Sequence, residues 1–401
     1  LILFAFLLFV FIVFIISKFT KKKEFEFEPK ISVLIPAYNE GKNIAKTIDS
    51  VYASDYPKSK MEVIVVDDGS TDNTIEILEK YSGVIVLKQD HKGKSEALNF
   101  GTAHAKSDFI LSIDADTALD KDCIKELVKP LNDSNVGATT GTSKVCNINN
   151  IWTIFQNIEY HYNNLIRRSF SSVFKNGIWF FGALACYRKS VLEKIGYFKR
   201  DTLTEDMDIA LEIHKSGYRT IHVHNAFSYT IVPSTLRGLY AQRSRWWMGV
   251  LQSLTKNRKL FSYKESPSIL FLFINQFWWS FYALLSLPVI IYQVNYWLPS
   301  NLGSFSSLFG YLFRWFSLVG PFYVIYKIPE WGLNFHNFFG VFSGIISTIL
   351  IIASIKMFKD KLNLKNIFAM FFYFPYTIVL NMIISLSLIT YGFSKKRYFI
   401  R

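Results

Sequence analysis

The sequence predicts an α/β domain with a mainly parallel sheet, joined to a bundle of membrane-spanning helices. Between about residues 31 and 117, short β-branched runs alternate with helical segments, a pattern typical of βαβ units. Elsewhere the chain has four long stretches without a charged residue, at 1–17, 266–313, 337–355 and 367–394. Stretches of about 17–25 apolar residues are long enough to cross a bilayer.

The composition agrees with a membrane protein that has a water-facing part. Half of the 401 residues are apolar and 38 are phenylalanine, which excludes an ordinary soluble globule. We divide the chain into a membrane helix (1–19), the α/β domain (20–228), amphipathic interface helices (229–265) and a membrane region (266–401). The predicted spans of the last region are 268–293, 304–326, 335–357 and 366–393.

The charge pattern predicts a multi-pass protein of the cell membrane with the α/β domain in the cytoplasm. The net charge is +14, and basic residues flank the apolar stretches, beginning with Lys21–Lys23. Such residues favour the cytoplasmic face and its anionic lipids, so we expect membrane lipids and no nucleic acid as partners. The cysteines Cys123, Cys146 and Cys186 form no metal-binding pattern, and unpaired thiols suit a reducing compartment.

The order of the C-terminal crossings stays open at this stage. Four crossings would place the lysines between 356 and 365 outside, against the charge bias, whereas an interfacial helix at 358–374 would change the number of crossings. Arg314 either faces the bundle interior or reaches toward an interface. The sequence begins at Leu1, so a segment upstream of it is also compatible with the pattern.

Polar residues follow the predicted strands of the α/β domain. The loops contain Tyr38–Glu40 after "ISVLIPA", Asp67–Ser70 after "MEVIVV" and Asp114–Asp116 after "DFILSI". Parallel strands bring their carboxyl ends to one edge of a sheet, where α/β proteins bind ligands. The sequence therefore predicts a site that contains all three loops.

Several residues in these loops have both a functional and an ordinary interpretation. Asp114 and Asp116 could hold a hard divalent cation together with phosphate oxygens, or form a solvated turn, and Asp67–Asp68 raises the same question. Lys92 and Lys94 lie at a predicted helix start, where phosphate binds readily, although a basic turn would look the same.

Two later segments are similarly ambiguous. Thr204, Glu205 and Asp206 fit a capped helix start, but Asp206 could also act as a general base on a sugar hydroxyl. Gln242, Arg245 and Trp246 share one face of a predicted helix. That face is either a membrane-interface anchor or a sugar-binding platform.

The motifs occur in an order that resembles one enzyme family. The segments are "PAYNE", "VVDDGSTDNT", "GKSEALN", "DADT", "FFGALACYRKSVLEKIGYF", "LTEDMDIALEI" and "QRSRWWMG". Together they resemble processive, membrane-embedded family 2 glycosyltransferases. Within that family, the sequence is most similar to bacterial poly-β-1,6-N-acetylglucosamine synthases, and then to chitin, hyaluronan and cellulose synthases.

The resemblance implies a GT-A (Rossmann-like) cytoplasmic domain, a UDP-sugar donor, Mg²⁺ or Mn²⁺ as cofactor, and a polysaccharide or glycolipid acceptor. Nucleotide and donor contacts are implied for Ala37, Tyr38, Glu40, Asp67, Asp68, Lys92, Lys94, Asp114 and Arg245. Metal binding is implied for Asp114 and Asp116, acceptor contacts for Gly182, Ala183, Gln242 and Trp246, and catalysis for Asp206 with Glu205.

We therefore expect inverting transfer of a sugar, by resemblance N-acetylglucosamine, to a growing polysaccharide that is exported through the membrane. An accessory protein is compatible with this. The main alternative is a non-processive enzyme that adds one sugar to a membrane lipid. A transporter with a nucleotide-binding regulatory domain would leave the ordered aspartates unexplained, and a two-carboxylate sugar hydrolase fits neither the spans nor the strand loops.

Overall fold

The computed structural model describes residues 2–20, 26–177, 179–262, 264–297, 320–332 and 334–393. Lys21–Lys23, Arg314 and most of the predicted span 304–326 lie outside these residues. The strands are β1 (Ile31–Ala37), β2 (Met61–Asp67), β3 (Val84–Lys88), β4 (Phe109–Ile113), β5 (Ala118–Leu119), β6 (Val136–Val145), β7 (Leu184–Arg188) and β8 (Arg219–Thr230).

Helices surround the sheet and continue into the membrane region. Helix α1 (Ile2–Phe19) precedes the α/β domain. The helices that follow it are α2 (Ile44–Tyr52), α3 (Thr74–Leu78), α4 (Lys94–His104), α5 (Cys123–Val128), α6 (Ile151–Phe174), α7 (Lys189–Ile195), α8 (Glu205–Lys215) and α9 (Leu236–Lys256). The later helices are α10 (Pro267–Trp297), α11 (Gly320–Trp331), α12 (Phe335–Met357), α13 (Leu364–Phe371) and α14 (Tyr373–Phe393).

The strands form one mixed sheet in the order β3-β2-β1-β4-β7-β6-β8-β5. Strands β1 to β4 pair in parallel, as the alternating pattern predicts, whereas β7 runs antiparallel to both β4 and β6. The prediction of a mainly parallel sheet thus holds for the first half of the domain. The second half departs from it because β7 follows the long helix α6 and enters the sheet from the opposite end.

Strand β1 shows why this sheet lies in the middle of the domain. Val33 and Ile35 pack into the core on one face, and Leu34 packs into the core on the other. All three side chains are fully buried. A strand covered on both faces reads as a continuous apolar run, and "ISVLI" is such a run.

Helix α6 joins the α/β domain to the membrane helices. Its residues Leu165 and Phe170 pack with Val13 and Phe14 of α1 and with Leu350 of α12. Among the described residues, three helices are long and apolar enough to cross a membrane: Ile2–Phe19, Pro267–Pro288 and Phe338–Met357.

A bent pair of helices occupies the place of the predicted span 366–393. Helices α13 and α14 meet at a 61° bend. The turn that precedes α13 lies against α6, because Asp360 accepts hydrogen bonds from His161 Nε2 at 2.8 Å and Asn157 Nδ2 at 3.1 Å. This end of α12 therefore lies next to α6.

Candidate active site

The candidate site lies at the carboxyl edge of β1, β2 and β4. The first loop follows β1, where Tyr38 is 44% exposed and its ring stacks on that of His91 with centroids 4.1 Å apart. Ala37 is buried, and its carbonyl oxygen accepts a hydrogen bond from the Asp68 N–H at 2.8 Å. The two loops are thus tied together, and an aromatic pair projects from them.

Asp67 and Asp68 follow β2 and are both buried. Asp68 faces the protein, where its carboxylate accepts from the N–H groups of Lys92 (2.9 Å) and Gly93 (2.8 Å) and meets His91 Nδ1 at 2.9 Å. Its visible role is to fix the segment that leads into α4. Asp67 differs, because its buried Oδ1 has no hydrogen-bond partner among the described residues and so can accept from a ligand.

A network of charges joins β4 to the start of α8. The Lys94 ammonium lies 2.6 Å from Asp114 Oδ1 and 2.9 Å from Glu205 Oε1. Burial alone would raise the pKa of Glu205, but Lys94 and, more weakly, Arg245 outweigh it and hold that pKa below its ordinary value. Lys92, by contrast, has an exposed side chain. Sequence reasoning treated the two lysines alike, and the structure separates them.

Asp116 lies in an excess of negative charge. Burial, with Asp114 and Glu40 nearby, raises its pKa to about 6. The pKa of Glu40 is raised as well, mainly by burial and further by Asp114. The described residues contain no preformed group of three or more metal-binding side chains. Asp116, whose negative charge is the less compensated, nevertheless fits a hard divalent cation together with Asp114, with the remaining ligands coming from phosphate and water.

Asp206 is held in place by backbone groups at the start of α8. Gly182 N–H donates to its Oδ2 at 2.9 Å, and the N–H of Met207 donates to its Oδ1 at 2.8 Å. Burial, and then the neighbouring Glu205, raise the pKa of Asp206 to about 6. The next residue, Ala183, contacts the end of β4, since its carbonyl oxygen accepts a hydrogen bond from the Asp114 N–H at 3.2 Å. Asp206 and the loop that contains Asp114 and Asp116 are therefore adjacent.

Helix α9 packs closely against this helix start. A Cβ on Gly249 would lie 2.5 Å from Thr204, so only glycine permits the approach. Thr204 precedes α8 as the sequence indicated, but its hydroxyl makes no capping hydrogen bond. Leu203 N–H also donates to Gln252 Oε1 of α9 at 2.9 Å. These contacts fix the position of α9 relative to Asp206.

The helical spacing predicted for Gln242, Arg245 and Trp246 is present in α9. Arg245 is exposed and Trp246 is half-buried, in an apolar cluster with Tyr160 and Phe181. Trp247 instead donates its indole N–H to Ser280 of α10 at 2.9 Å. The two tryptophans thus differ, one bordering the site and the other tying α9 to the membrane region.

Sequence reasoning missed residues whose importance comes from distant contacts. His91 directly precedes Lys92, but nothing in that stretch of the sequence indicated that it stacks on Tyr38. Arg243 looked like one more juxtamembrane cation, yet it is buried and pairs with Glu159 at 3.0 Å. Those two residues are 84 positions apart, and no local pattern relates them.

Comparison with known proteins matches part of this chain to one family model. Residues 32–196 match the family model described as Glycosyl transferase family 2. The poly-beta-1,6-N-acetyl-D-glucosamine synthase of Staphylococcus aureus (strain COL) is 34% identical over 225 residues, which cover 55% of this chain and 54% of that protein. The synthase of the same description from Staphylococcus epidermidis is 32% identical over 235 residues, 57% of this chain and 56% of that protein.

The chain thus spans about half the length of the curated relatives it matches. Among solved structures, a mannosyltransferase from Pyrobaculum calidifontis in complex with GDP-Man and Mn²⁺ aligns with a TM-score of 0.57 at 22% identity, over 88% of this chain and 99% of its own. That likeness establishes the fold. Residues 32–196 therefore match the glycosyltransferase family 2 model, within a domain whose mixed sheet is GT-A-like, on a chain with helices long and apolar enough to span a membrane.

Proposed function

We propose that this chain is an inverting, metal-dependent glycosyltransferase that moves a sugar from a UDP-sugar to a growing polysaccharide. One observation is the main support for this proposal. The Lys94 ammonium contacts both Asp114 and Glu205, so the carboxylates suited to a donor diphosphate are joined to the helix start that carries Asp206. N-acetylglucosamine is the sugar we favour, because the relatives above are named for it.

The donor would lie along the edge of β1, β2 and β4. Tyr38 offers an exposed aromatic face for the uracil ring, with Ala37 and Glu40 beside it. Asp67 offers a buried, unpartnered oxygen to an N–H or O–H of the nucleoside. Asp68 would affect nucleotide binding mainly by fixing the backbone of Lys92 and Gly93.

Asp114 and Asp116 would hold Mg²⁺ or Mn²⁺, with Asp116 as the more direct ligand because its charge is the less compensated. When bound, a divalent cation neutralises the diphosphate and makes it a better leaving group. The cations that the chain itself supplies are Lys92 and Arg245, which are exposed and can pair with phosphate oxygens. Lys94 would hold Asp114 and Glu205 close together by pairing with both carboxylates.

Asp206 would act as the general base. Its two backbone hydrogen bonds fix the carboxylate, and its raised pKa brings its proton affinity closer to neutral pH, where a base works best. It would take the proton of the acceptor hydroxyl as that oxygen attacks the anomeric carbon, inverting an α donor to a β linkage. Gly182 and Ala183 would border the acceptor, and Trp246 with Gln242 would carry its terminal sugar.

The membrane region would place the domain on the cytoplasmic side of the cell membrane and lead the product outward. Helices α9, α10 and α14 meet through hydroxyl groups, with Ser244 paired to Ser387 at 2.6 Å and Ser385 donating to the Ala283 carbonyl oxygen at 2.8 Å. Hydrogen bonds from small hydroxyl residues are typical of the packing between membrane helices. Membrane lipids are expected partners, and an accessory protein is compatible with the proposal.

The test is UDP release and product size from membranes that contain this chain, with a panel of UDP-sugars. Mn²⁺, Mg²⁺ and EDTA form the metal arms of the assay. We expect metal-dependent turnover of UDP-N-acetylglucosamine into a long polymer. A product with one added sugar on lipid would replace polymerisation by the non-processive reaction, and turnover unaffected by EDTA would contradict the metal assignment. Release of UDP from none of the donors would contradict the proposed activity.

A further inference from the structure

A buried cluster of polar side chains lies directly beneath the proposed acceptor platform, which we define as Gln242 and Trp246. At its centre is Arg243, which is 8% exposed. One of its terminal nitrogens donates to Gln242 Oε1 at 2.7 Å and the other to Glu159 Oε2 at 3.0 Å. The guanidinium carbon also lies 4.4 Å from the centroid of the Trp246 ring. A single side chain therefore contacts both platform residues.

The chemistry of these contacts suits arginine alone. A guanidinium has a rigid fork of donors and a flat face that stacks on an aromatic ring. Arg243 uses the fork on Gln242 and Glu159 and the face on Trp246. A lysine at this position could keep the charge but could not make all three contacts. Burial of Arg243 is tolerated because the Glu159 carboxylate compensates its charge.

The contacts define how each platform residue meets a ligand. Since the amide oxygen of Gln242 already accepts from Arg243, we expect its Nε2 donor to be the group that meets a sugar hydroxyl. One face of Trp246 is covered by the guanidinium, and Tyr160 and Val232 pack in the same cluster. The ring is thereby held in one orientation, which reduces the entropy lost when a sugar stacks on it.

The cluster extends to the last membrane helix. Tyr376 of α14 donates its hydroxyl to Glu159 Oε2 at 2.6 Å, the oxygen that also accepts from Arg243. The Tyr376 ring stacks on Phe155 of α6, with centroids 5.0 Å apart and planes 7° from parallel. One carboxylate oxygen thus joins α6, α9 and α14.

We propose that Arg243 is the positioning residue of the acceptor platform, and that Glu159 and Tyr376 connect this platform to helix α14. Arg243 is buried and both of its terminal nitrogens donate to side chains of the protein, so we expect it to touch neither donor nor acceptor, whereas Arg245 is exposed. The proposal rests on the function proposed above, in which Gln242 and Trp246 bind the acceptor sugar. It assigns to helix α14 an effect on acceptor affinity that is transmitted through Glu159 and Arg243.

The test measures the dissociation constants of two probes on the full chain in lipid nanodiscs. The probes are UDP and a short β-1,6-linked N-acetylglucosamine oligosaccharide, the second added in the presence of UDP. Tyr376→Phe removes only the hydroxyl, and Arg243→Lys keeps the charge but loses the fork. Tyr373→Phe is the matched control, since Tyr373 is a buried tyrosine on the same helix, with its ring 6.0 Å from that of Tyr376.

We expect Tyr376→Phe to weaken oligosaccharide binding about fivefold and Arg243→Lys about tenfold or more, as for loss of charge-assisted hydrogen bonds. Both variants should bind UDP as the wild type does, and the double variant should resemble Arg243→Lys alone because the residues act in one chain. A merely structural role would instead weaken UDP binding equally.

The outcomes separate this inference from the proposed function. Oligosaccharide affinity in Tyr376→Phe equal to that in Tyr373→Phe, or additive effects in the double variant, would overturn the inference alone. A wild-type chain that binds UDP but no oligosaccharide would contradict the polysaccharide acceptor as well.

Discussion

The backbone N–H of Gly182 donates to Asp206 Oδ2 at 2.9 Å, and a Cβ on Gly182 would lie 2.6 Å from the Asp206 Cβ. We predict that Gly182→Ala displaces Asp206 and lowers kcat/KM at least about tenfold, the usual cost of overpacking a tight contact. UDP affinity should remain within about twofold. Gly340→Ala is the control, since a Cβ on Gly340 meets no atom within 4 Å. Equal activity in the two variants would show that the approach is not required.

The pH dependence of transfer follows from the Asp206 carboxyl, whose pKa is raised to about 6. A base must be deprotonated, so log(kcat/KM) should fall by about one per pH unit below 6 and level off above it. The raised pKa also means that the folded protein binds a proton at Asp206 more tightly than the unfolded chain does. The contribution of Asp206 to folding stability is therefore present below its ordinary pKa of 3.8 and is lost as the pH rises through 6.

Saturating Mn²⁺ in this assay keeps protonation of Asp116, whose pKa is also about 6, from limiting the rate. A rate that stays constant between pH 5 and 7 would exclude a base with this pKa.

The two lysines at the start of α4 should behave differently. Lys94→Gln leaves Asp114 and Glu205 without their shared cation, so we expect a lower Tm and a kcat/KM reduced about tenfold or more. Lys92→Gln, at an exposed position, should raise the donor KM and leave Tm unchanged. Thermal scans and donor titrations of both variants check this, and identical Tm values would refute the bridging role.

Asp68→Asn tests whether that residue acts through the segment it fixes. The amide would set an N–H against a backbone N–H of Lys92 or Gly93, at a cost of about 1–3 kcal/mol in unfolding free energy. The unfolding transition of the domain in urea measures this change in unfolding free energy. Asp90→Asn, an exposed neighbour, is the control. Unchanged stability together with lost UDP binding would instead point to direct contact with the nucleotide.

The sequence was sufficient to predict the first four strands and the edge at which their loops meet. A short continuous apolar run such as "ISVLI" is typical of a strand buried on both faces, and parallel strands bring their carboxyl ends to one edge of the sheet. The orientation of side chains within the loops was not predictable. Asp67 and Asp68 are adjacent and chemically identical, yet one has a free oxygen and the other binds a distant backbone segment. The pairing of β2 with β3 brings the segment that follows β3 beside Asp68, and this pairing is a feature of the tertiary fold.

The break between α13 and α14 did carry a signal. Pro375 lacks an N–H and would clash with the carbonyl group of residue 371 in a continuous helix, whereas the first turn of a new helix accommodates it. The helix that begins at Tyr373 meets this condition. The Arg243–Glu159 pair left no such signal, because its partners come from helices that only the tertiary fold brings together.

The central claim, that Asp206 is the base beside a UDP-sugar site, is tested most directly by Asp206→Asn. The measurement pairs UDP release in the presence of acceptor with UDP affinity on the same preparation. We predict that transfer falls at least about a hundredfold, as for loss of a general base, while UDP binds with unchanged affinity. Transfer at the wild-type rate would remove Asp206 from this role and contradict the account.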